Sequence, residues 1–279
     1  MAQFYDSVTF KISKLVTRNY STSFSIAVSF LDSKMQQAIY SIYGFVRFAD
    51  EIVDSFENHD KKTLLEKFEQ DYYDAYNRAI SLNPILHSFQ KVVKEYNIPD
   101  DLIQAFLNSM KADLQKKDYK NKREIDEYIY GSADVVGLMC LKVFTNGDDL
   151  FYESLKAPAM KLGSAFQKVN FLRDLKNDVE NLNRQYFPEY DRNTFNDEIK
   201  NQIIKDIEND FSASYLGIKQ LPSDAKIGVL IAYFYYLRLL RKIKKTPANQ
   251  LFEIRVSVPN FIKTLLLIKA YLVCKLKLI

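Results

Sequence analysis

The chain has 279 residues, enough for one large domain with a well-buried core, and no Gly/Ser-rich or Pro-rich linker divides it, so residues 1–279 read as a single domain. A net charge of +4 with scattered lysines excludes a nucleic-acid footprint, and the two histidines, His59 and His87, read as surface or boundary residues, which nearly excludes a His-rich metal site or a Ser/His/Asp triad. Hydrophobic residues make up 47 %, with 20 Phe, 19 Tyr and no Trp, and this richness leaves apolar surface to line a cavity.

Helical periodicity runs almost from end to end and no stretch alternates as a strand does, so the fold class is all-α. Helices are expected near residues 4–17, 22–30, 33–57, 60–80, 84–96, 99–115, 123–145, 149–156, 158–182, 196–218, 223–245 and 258–277. Breaks fall at "NHDKK", "SLNP", "NIPD", "TNGDD" and "QLPSD", and Pro84, Pro99 and Pro158 suit first-turn positions, where the missing N–H costs nothing. The seven glycines form neither a G-x-G-x-x-G nor a P-loop. Cys140 and Cys274 lie far apart in a chain with no secretory signal at its start, the pattern of two reduced thiols in a cytoplasmic protein.

Three D-x-x-x-D pairs occur, and with 22 Asp roughly two would arise by chance, so their context must separate them. In the helix at 33–57, Tyr40, Tyr43, Arg47, Asp50 and Asp54 fall within an arc of about 80°, while Phe45, Phe48, Ile52, Val53 and Phe56 take the other side. Tyrosines and an arginine are not the companions of aspartates on a plain solvent face; they suggest the lining of a cavity. In the helix at 158–182, Gln167, Asn170, Asp174 and Asp178 share one side, with Gly163 and Phe171 nearby. Asp206 and Asp210, flanked by Lys205, Glu208 and Asn209, read as a solvated face.

Carboxylates four residues apart on a helix repel unless a cation lies between them or both stay in water. Hard oxygen donors without His or Cys point to Mg²⁺, with Mn²⁺ as the alternative, and Mg²⁺ readily shares its shell with phosphate oxygens. Two such pairs could clamp a diphosphate and ease its departure. The C-terminal "FIKTLLLIKAYLVCKLKLI" is interrupted by Lys263, Lys269, Lys275 and Lys277 at intervals that a spanning helix would not tolerate. It reads as an amphipathic helix covering the core, with peripheral membrane contact as the alternative.

Five ordered motifs resemble the squalene/phytoene synthase family over nearly the whole length: "YSTSF" at 20–24, "YGFVRFADEIVD" at 43–54, "YIYGSADVVGLM" at 128–139, "GSAFQKVNFLRDLKND" at 163–178 and "NRQYFP" at 183–188. "VGLM" and "NFLRD" look most similar to bacterial phytoene synthases. The resemblance implies an all-α isoprenoid-synthase fold around a deep apolar cavity, and head-to-head condensation of two allylic diphosphates. For a phytoene synthase the substrate is geranylgeranyl diphosphate and no NADPH is needed; the alternative is a C30 enzyme making dehydrosqualene or squalene from farnesyl diphosphate. A non-catalytic helical scaffold is the rival of another class, but both aspartate pairs that such a protein would lose are intact.

Carried over by the resemblance, Asp50, Asp54, Asp174 and Asp178 are catalytic and metal-binding, with Asn170 beside them, and Arg47, Arg173 and Arg184 pair with diphosphate oxygens. Gln167, Asn170 and Tyr43 line the same site, Ser21, Ser23 and Phe24 form a flap that excludes water, and Tyr236 and Arg255 match later positions near the diphosphates. Tyr130 matches a cavity tyrosine near the reacting carbons. Two positions depart from the family pattern. Asp134 stands where a small residue is usual and is expected to point away from the cavity; Asn177 stands where an acid is common.

Overall fold

Caps written into the sequence start most of the helices. Asp32, Asp60, Asn83, Asn121 and Asn196 each accept a hydrogen bond from a backbone N–H in the first turn they precede, and Pro84 occupies the first position after Asn83. The computed structural model describes residues 2–116, 119–180, 184–187 and 194–276. Asn183 and Pro188 of the "NRQYFP" motif, and the helix ends drawn at 182 and 277, lie outside the described residues.

The first half of the chain forms α1 (Ala2–Tyr20), α2 (Thr22–Val28), α3 (Ser33–Ser55), α4 (Lys61–Arg78), α5 (Pro84–Glu95) and α6 (Asp100–Asp113). Then come α7 (Lys122–Ile129), a π turn (Tyr130–Asp134), α8 (Val135–Phe144) and the long α9 (Asp149–Glu180). The chain closes with α10 (Asp197–Gln220), α11 (Ser223–Lys245), a 3-10 turn (Asn249–Phe252) and α12 (Asn260–Lys275). Among the described residues there is no β-sheet, as the periodicity predicts.

Two apolar clusters carry the fold. One gathers α3 to α6 and α8 around stacked rings, with Phe45 and Phe89 4.0 Å apart and nearly parallel. The other gathers α10, α11 and the 3-10 turn around Phe211, Leu230 and Leu239. Helix α9 joins them: Tyr152 and Leu155 belong to the first cluster, and Val169 and Leu172 to the second.

Several expectations are corrected. The break at 157 is absent, and Pro158 lies inside α9 rather than in a first turn. The apolar contacts on both sides outweigh the lost hydrogen bond, and the ring has a seat where α10 presents Gly217; a Cβ there would lie 2.6 Å from Pro158 Cβ. The expected helix at 123–145 is interrupted by the π turn, held between α6 and α9. A Cβ at Gly131 would meet Ala105 O at 2.8 Å, and one at Gly163 would meet Ala133 O at 3.0 Å, so both helices approach the turn closely. His87 is buried, not at the boundary; its Nδ1 accepts from Ser81 N–H, and its Nε2 reaches Asp6 at 2.8 Å. His59 is exposed, as expected.

Helix α12 packs on α11, but Ala270 alone of its residues is fully buried, and its outer face is apolar rather than polar. Among the described residues no helix is long and apolar enough to cross a membrane. Both cysteines are free, as expected, and burial pushes the Cys140 thiol up to about 12.

Candidate functional site

The polar stripe of α3 opens toward a cavity. Arg47 lies over the Tyr20 ring at 4.3 Å, donates to Asp50 at 2.6 Å and pairs with Glu51 one turn on. Burial, and then the neighbouring Asp54 charge, raises the Asp50 carboxyl above the ordinary range. Tyr43 faces the cavity with Phe24 stacked on it at 5.0 Å. Ser21 caps α2 by accepting from Phe24 N–H, so the cap itself sets the flap over Tyr43. Tyr40, on the same stripe, is instead buried in the core beside Ser25 O.

Helix α9 supplies the facing row. Gln167 and Asn170 contact each other, and Tyr236 of α11 donates to Asn170 Oδ1 at 3.2 Å while its ring stacks on Phe166 at 4.0 Å. Asp174 is gripped by Arg173 at 3.1 Å and by Arg255 at 2.6 Å. Burial opposes ionisation there, but the two guanidiniums prevail and hold Asp174 below the usual range. Asp178 has the opposite balance: burial, then the Asp174 charge, pushes it up to about 7.

One residue of the cluster gave no signal in the sequence. Asp113, at the end of α6, is buried and accepts from Tyr128 at 2.9 Å and Tyr119 at 3.4 Å; burial lifts it to about 6. Arg184 lies between the helices, 2.9 Å from Asp54 and 4.0 Å from Asp113. Tyr128, Phe171 and Tyr186 stack beneath it, the last two 4.0 Å apart. This aromatic floor keeps water away from Asp113 and fixes where Arg184 can sit.

Six carboxylates, Asp50, Glu51, Asp54, Asp113, Asp174 and Asp178, thus share the site with four guanidiniums, Arg47, Arg173, Arg184 and Arg255. The acid excess is the physical reason that several carboxyls resist ionisation. Two buried atoms are left without a hydrogen bond, Arg47 Nε and Asp54 Oδ1; Arg184 Nη1 is near Asp54 Oδ1 but off the bonding direction. Among the described residues no three ligand-type side chains converge tightly enough to enclose a metal ion. A cation that takes one or two carboxylates and completes its shell with water and phosphate oxygens fits this donor set, as Mg²⁺ does.

Below the charged rim lies an apolar cavity of about 510 Å³. Tyr20, Ser21, Ser23, Phe24, Tyr43, Gln167, Arg173 and Tyr236 stand among its lining residues, and small residues such as Ala27, Gly137, Ala159, Gly217 and Gly228 keep its walls open. Of the two glycines in the 128–139 motif, Gly131 therefore serves helix packing and Gly137 serves the cavity.

Three expectations do not hold in place. Tyr130 is not among the residues lining the cavity, and its side chain is exposed; the π turn shifts the phase so that Ser132 and Ala133 face inward instead. Asp210 is buried rather than solvated, held by Lys168 at 2.7 Å and Lys161 at 2.9 Å, while Asp206 stays exposed and pairs with Lys168. Asp134 does point away from the cavity, but into protein: it is buried against α9, accepts from Ser164 at 2.9 Å and is pushed up to about 7 by burial.

The chain was compared with known proteins. The 4,4'-diapophytoene synthase of Staphylococcus haemolyticus is 28 % identical over 196 residues, which are 68 % of this chain and 66 % of that protein. A chloroplastic phytoene synthase of an Oncidium hybrid cultivar is 26 % identical over 253 residues, 84 % of this chain and 61 % of the relative. The chain thus spans somewhat less than two thirds of the length of these curated relatives. A dehydrosqualene synthase solved in complex with ligand superposes with a TM-score of 0.85 at 23 % identity, covering 98 % of both chains. A squalene synthase from Alicyclobacillus acidocaldarius gives 0.74 at 19 % identity, over 85 % of this chain and 93 % of that one. At these identities the structures establish the fold, the helical fold of the family. The profile of the squalene/phytoene synthase family matches residues 17–261, which carry the aspartate pairs, their arginines and the cavity wall, and the chain belongs to that family.

Proposed function

We propose that the protein condenses two molecules of geranylgeranyl diphosphate head to head into phytoene, through a cyclopropylcarbinyl diphosphate, with release of two diphosphates and a proton. The observation that carries the reading is a deep apolar cavity capped by a rim of paired aspartates and arginines. The apolar part suits polyprenyl chains, the small residues in its wall favour long ones, and the rim suits diphosphates. The chloroplastic phytoene synthases that match over 84 % and 92 % of the chain support the C40 product.

The arginines would release their carboxylates and turn to phosphate oxygens, a task suited to a permanently charged fork. Asp50, Asp54, Asp174 and Asp178, with Asn170 beside them, would hold Mg²⁺, which supplies Lewis-acid stabilisation of the departing diphosphate. Phe24 on Tyr43, set by the Ser21 cap, covers the rim and keeps water from the carbocation. Tyr43 and Tyr236 present hydroxyls and π faces to the cavity, where positive charge develops.

The diapophytoene synthase relative and the dehydrosqualene synthase neighbour favour a second reading, a C30 product from farnesyl diphosphate. Incubating the pure protein with each diphosphate and Mg²⁺, without and then with NADPH, and identifying the hydrocarbon decides between them. A C40 triene core made from geranylgeranyl diphosphate without reductant is the expected result; a C30 product alone overturns it. Unchanged turnover in Asp50→Asn and Asp174→Asn would remove the roles assigned to the rim.

A further inference from the structure

We infer that the outer face of α12 docks in the plane of an anionic lipid bilayer. Along this helix Phe261, Leu265, Ile268, Leu272 and Leu276 recur at the helical period and project from one side, each between 46 % and 66 % exposed. The opposite side, with Ala270 and Leu266, is spent on α11 and its neighbours, so the outer stripe has no partner within the chain.

Charge selects the occupant. Between Asn260 and Lys275 there is no Asp or Glu, while Lys263, Lys269 and Lys275 flank the stripe. Their stems run over rings, with Lys269 Nζ 4.3 Å from the centre of Phe234 and Lys275 Nζ 5.6 Å from that of Tyr271. Apolar side chains with cationic heads at the margins of the stripe match acyl chains beneath anionic headgroups. A second copy placed symmetrically on the same face would set these lysines against themselves with no acid to answer them. Sixteen helical residues reach about 24 Å, short of a hydrocarbon core of about 30 Å, so the helix lies in the interface and does not span it.

The position of α12 gives this face a use. Lys263 lines the cavity together with Ser23 and Tyr235, and Leu266 and Leu267 wall the recess beside them. One helix therefore separates the cavity from the docked surface, and a hydrocarbon leaving beside α12 would pass into acyl chains rather than into water. The docking stands on the surface alone; this delivery role rests on the function proposed above.

The test is flotation of the full chain with phosphatidylcholine vesicles, with and without phosphatidylglycerol, over a salt series. The expected result is binding that needs phosphatidylglycerol and weakens with salt, and that falls about tenfold or more in Leu265→Glu/Ile268→Glu. Leu265→Ser/Ile268→Ser provides a milder version of the same change, and Leu82→Glu, on a distant exposed turn, should bind as the parent does. Circular dichroism melts establish that each variant is folded. Absence of flotation, equal binding by both double variants, or a dimer in sedimentation that either double variant dissolves while vesicle binding persists would each overturn the docking. If docking holds but no hydrocarbon is made from either diphosphate, the functional reading fails and the docking does not.

Discussion

Asp134 is a buried acid with one hydrogen-bond donor, Ser164, and no cation in contact with it, because the nearby Lys168 is committed to Asp206 and Asp210. Its carboxyl titrates near 7 instead of 3.8, chiefly because ionisation would strand a charge away from water. The native state then keeps a proton that the unfolded chain releases near pH 4, so stability falls as pH rises from about 4 to about 7 and stays low above it. About three units at 1.36 kcal/mol each set the full cost near 4 kcal/mol. Asn in the same place cannot ionise and still accepts from Ser164, at the expense of an amide N–H that finds no partner, roughly 1 kcal/mol. Asp134→Asn should therefore be more stable than the parent by about 3 kcal/mol at pH 8 and within about 1 kcal/mol of it at pH 4.5. Urea unfolding of both proteins at pH 4.5, 6 and 8 reads the difference. If the two proteins lose the same stability between pH 4.5 and 8, Asp134 is not the buried neutral acid described here.

Gly217→Ala drives a Cβ to 2.6 Å from Pro158 and should lower stability by about 1–3 kcal/mol in a thermal melt, with part of the loss recovered by adding Pro158→Ala. Arg184→Lys keeps the charge but loses the fork shared between Asp54 and Asp113; turnover should fall about tenfold or more while the melting temperature moves by only a few degrees. Mg²⁺ and inorganic diphosphate together should raise the melting temperature by more than the sum of their separate effects, since each supplies what the other leaves unpaired; simple addition would argue against a shared site.

The all-α fold and the α3 stripe were legible because both rest on local periodicity: one turn of helix fixes which side chains share a side, whatever packs above it. The caps were legible for the same reason, each acting within three residues. Asp113 was not, because nothing around "KADLQ" distinguishes it, and its partners Tyr128 and Arg184 stand 15 and 71 positions further along the chain. Asp210 was misread in the same way: its sequence neighbours are polar, but Lys168, which closes over it, comes from 42 positions upstream on α9. Tyr130 shows a different limit. A motif specifies an order of residues, and a π turn inserted in it rotates every side chain that follows relative to an α-helical count.

The charged rim also explains how an empty diphosphate site can be stable. Buried arginines and aspartates left apart would each bear the full cost of desolvation, and here most of them answer one another: Arg47 with Asp50, Arg173 and Arg255 with Asp174, Arg184 with Asp54. The pairing is incomplete by design of the numbers, since six carboxylates meet four guanidiniums, and the remainder is carried as retained protons on Asp113 and Asp178. A diphosphate alone would worsen that imbalance, and a divalent cation alone would leave the arginines where they are. The two together exchange each internal pair for an arginine on phosphate and an aspartate on metal, so the same residues that keep the apo rim folded are the ones that make binding of cation and anion interdependent.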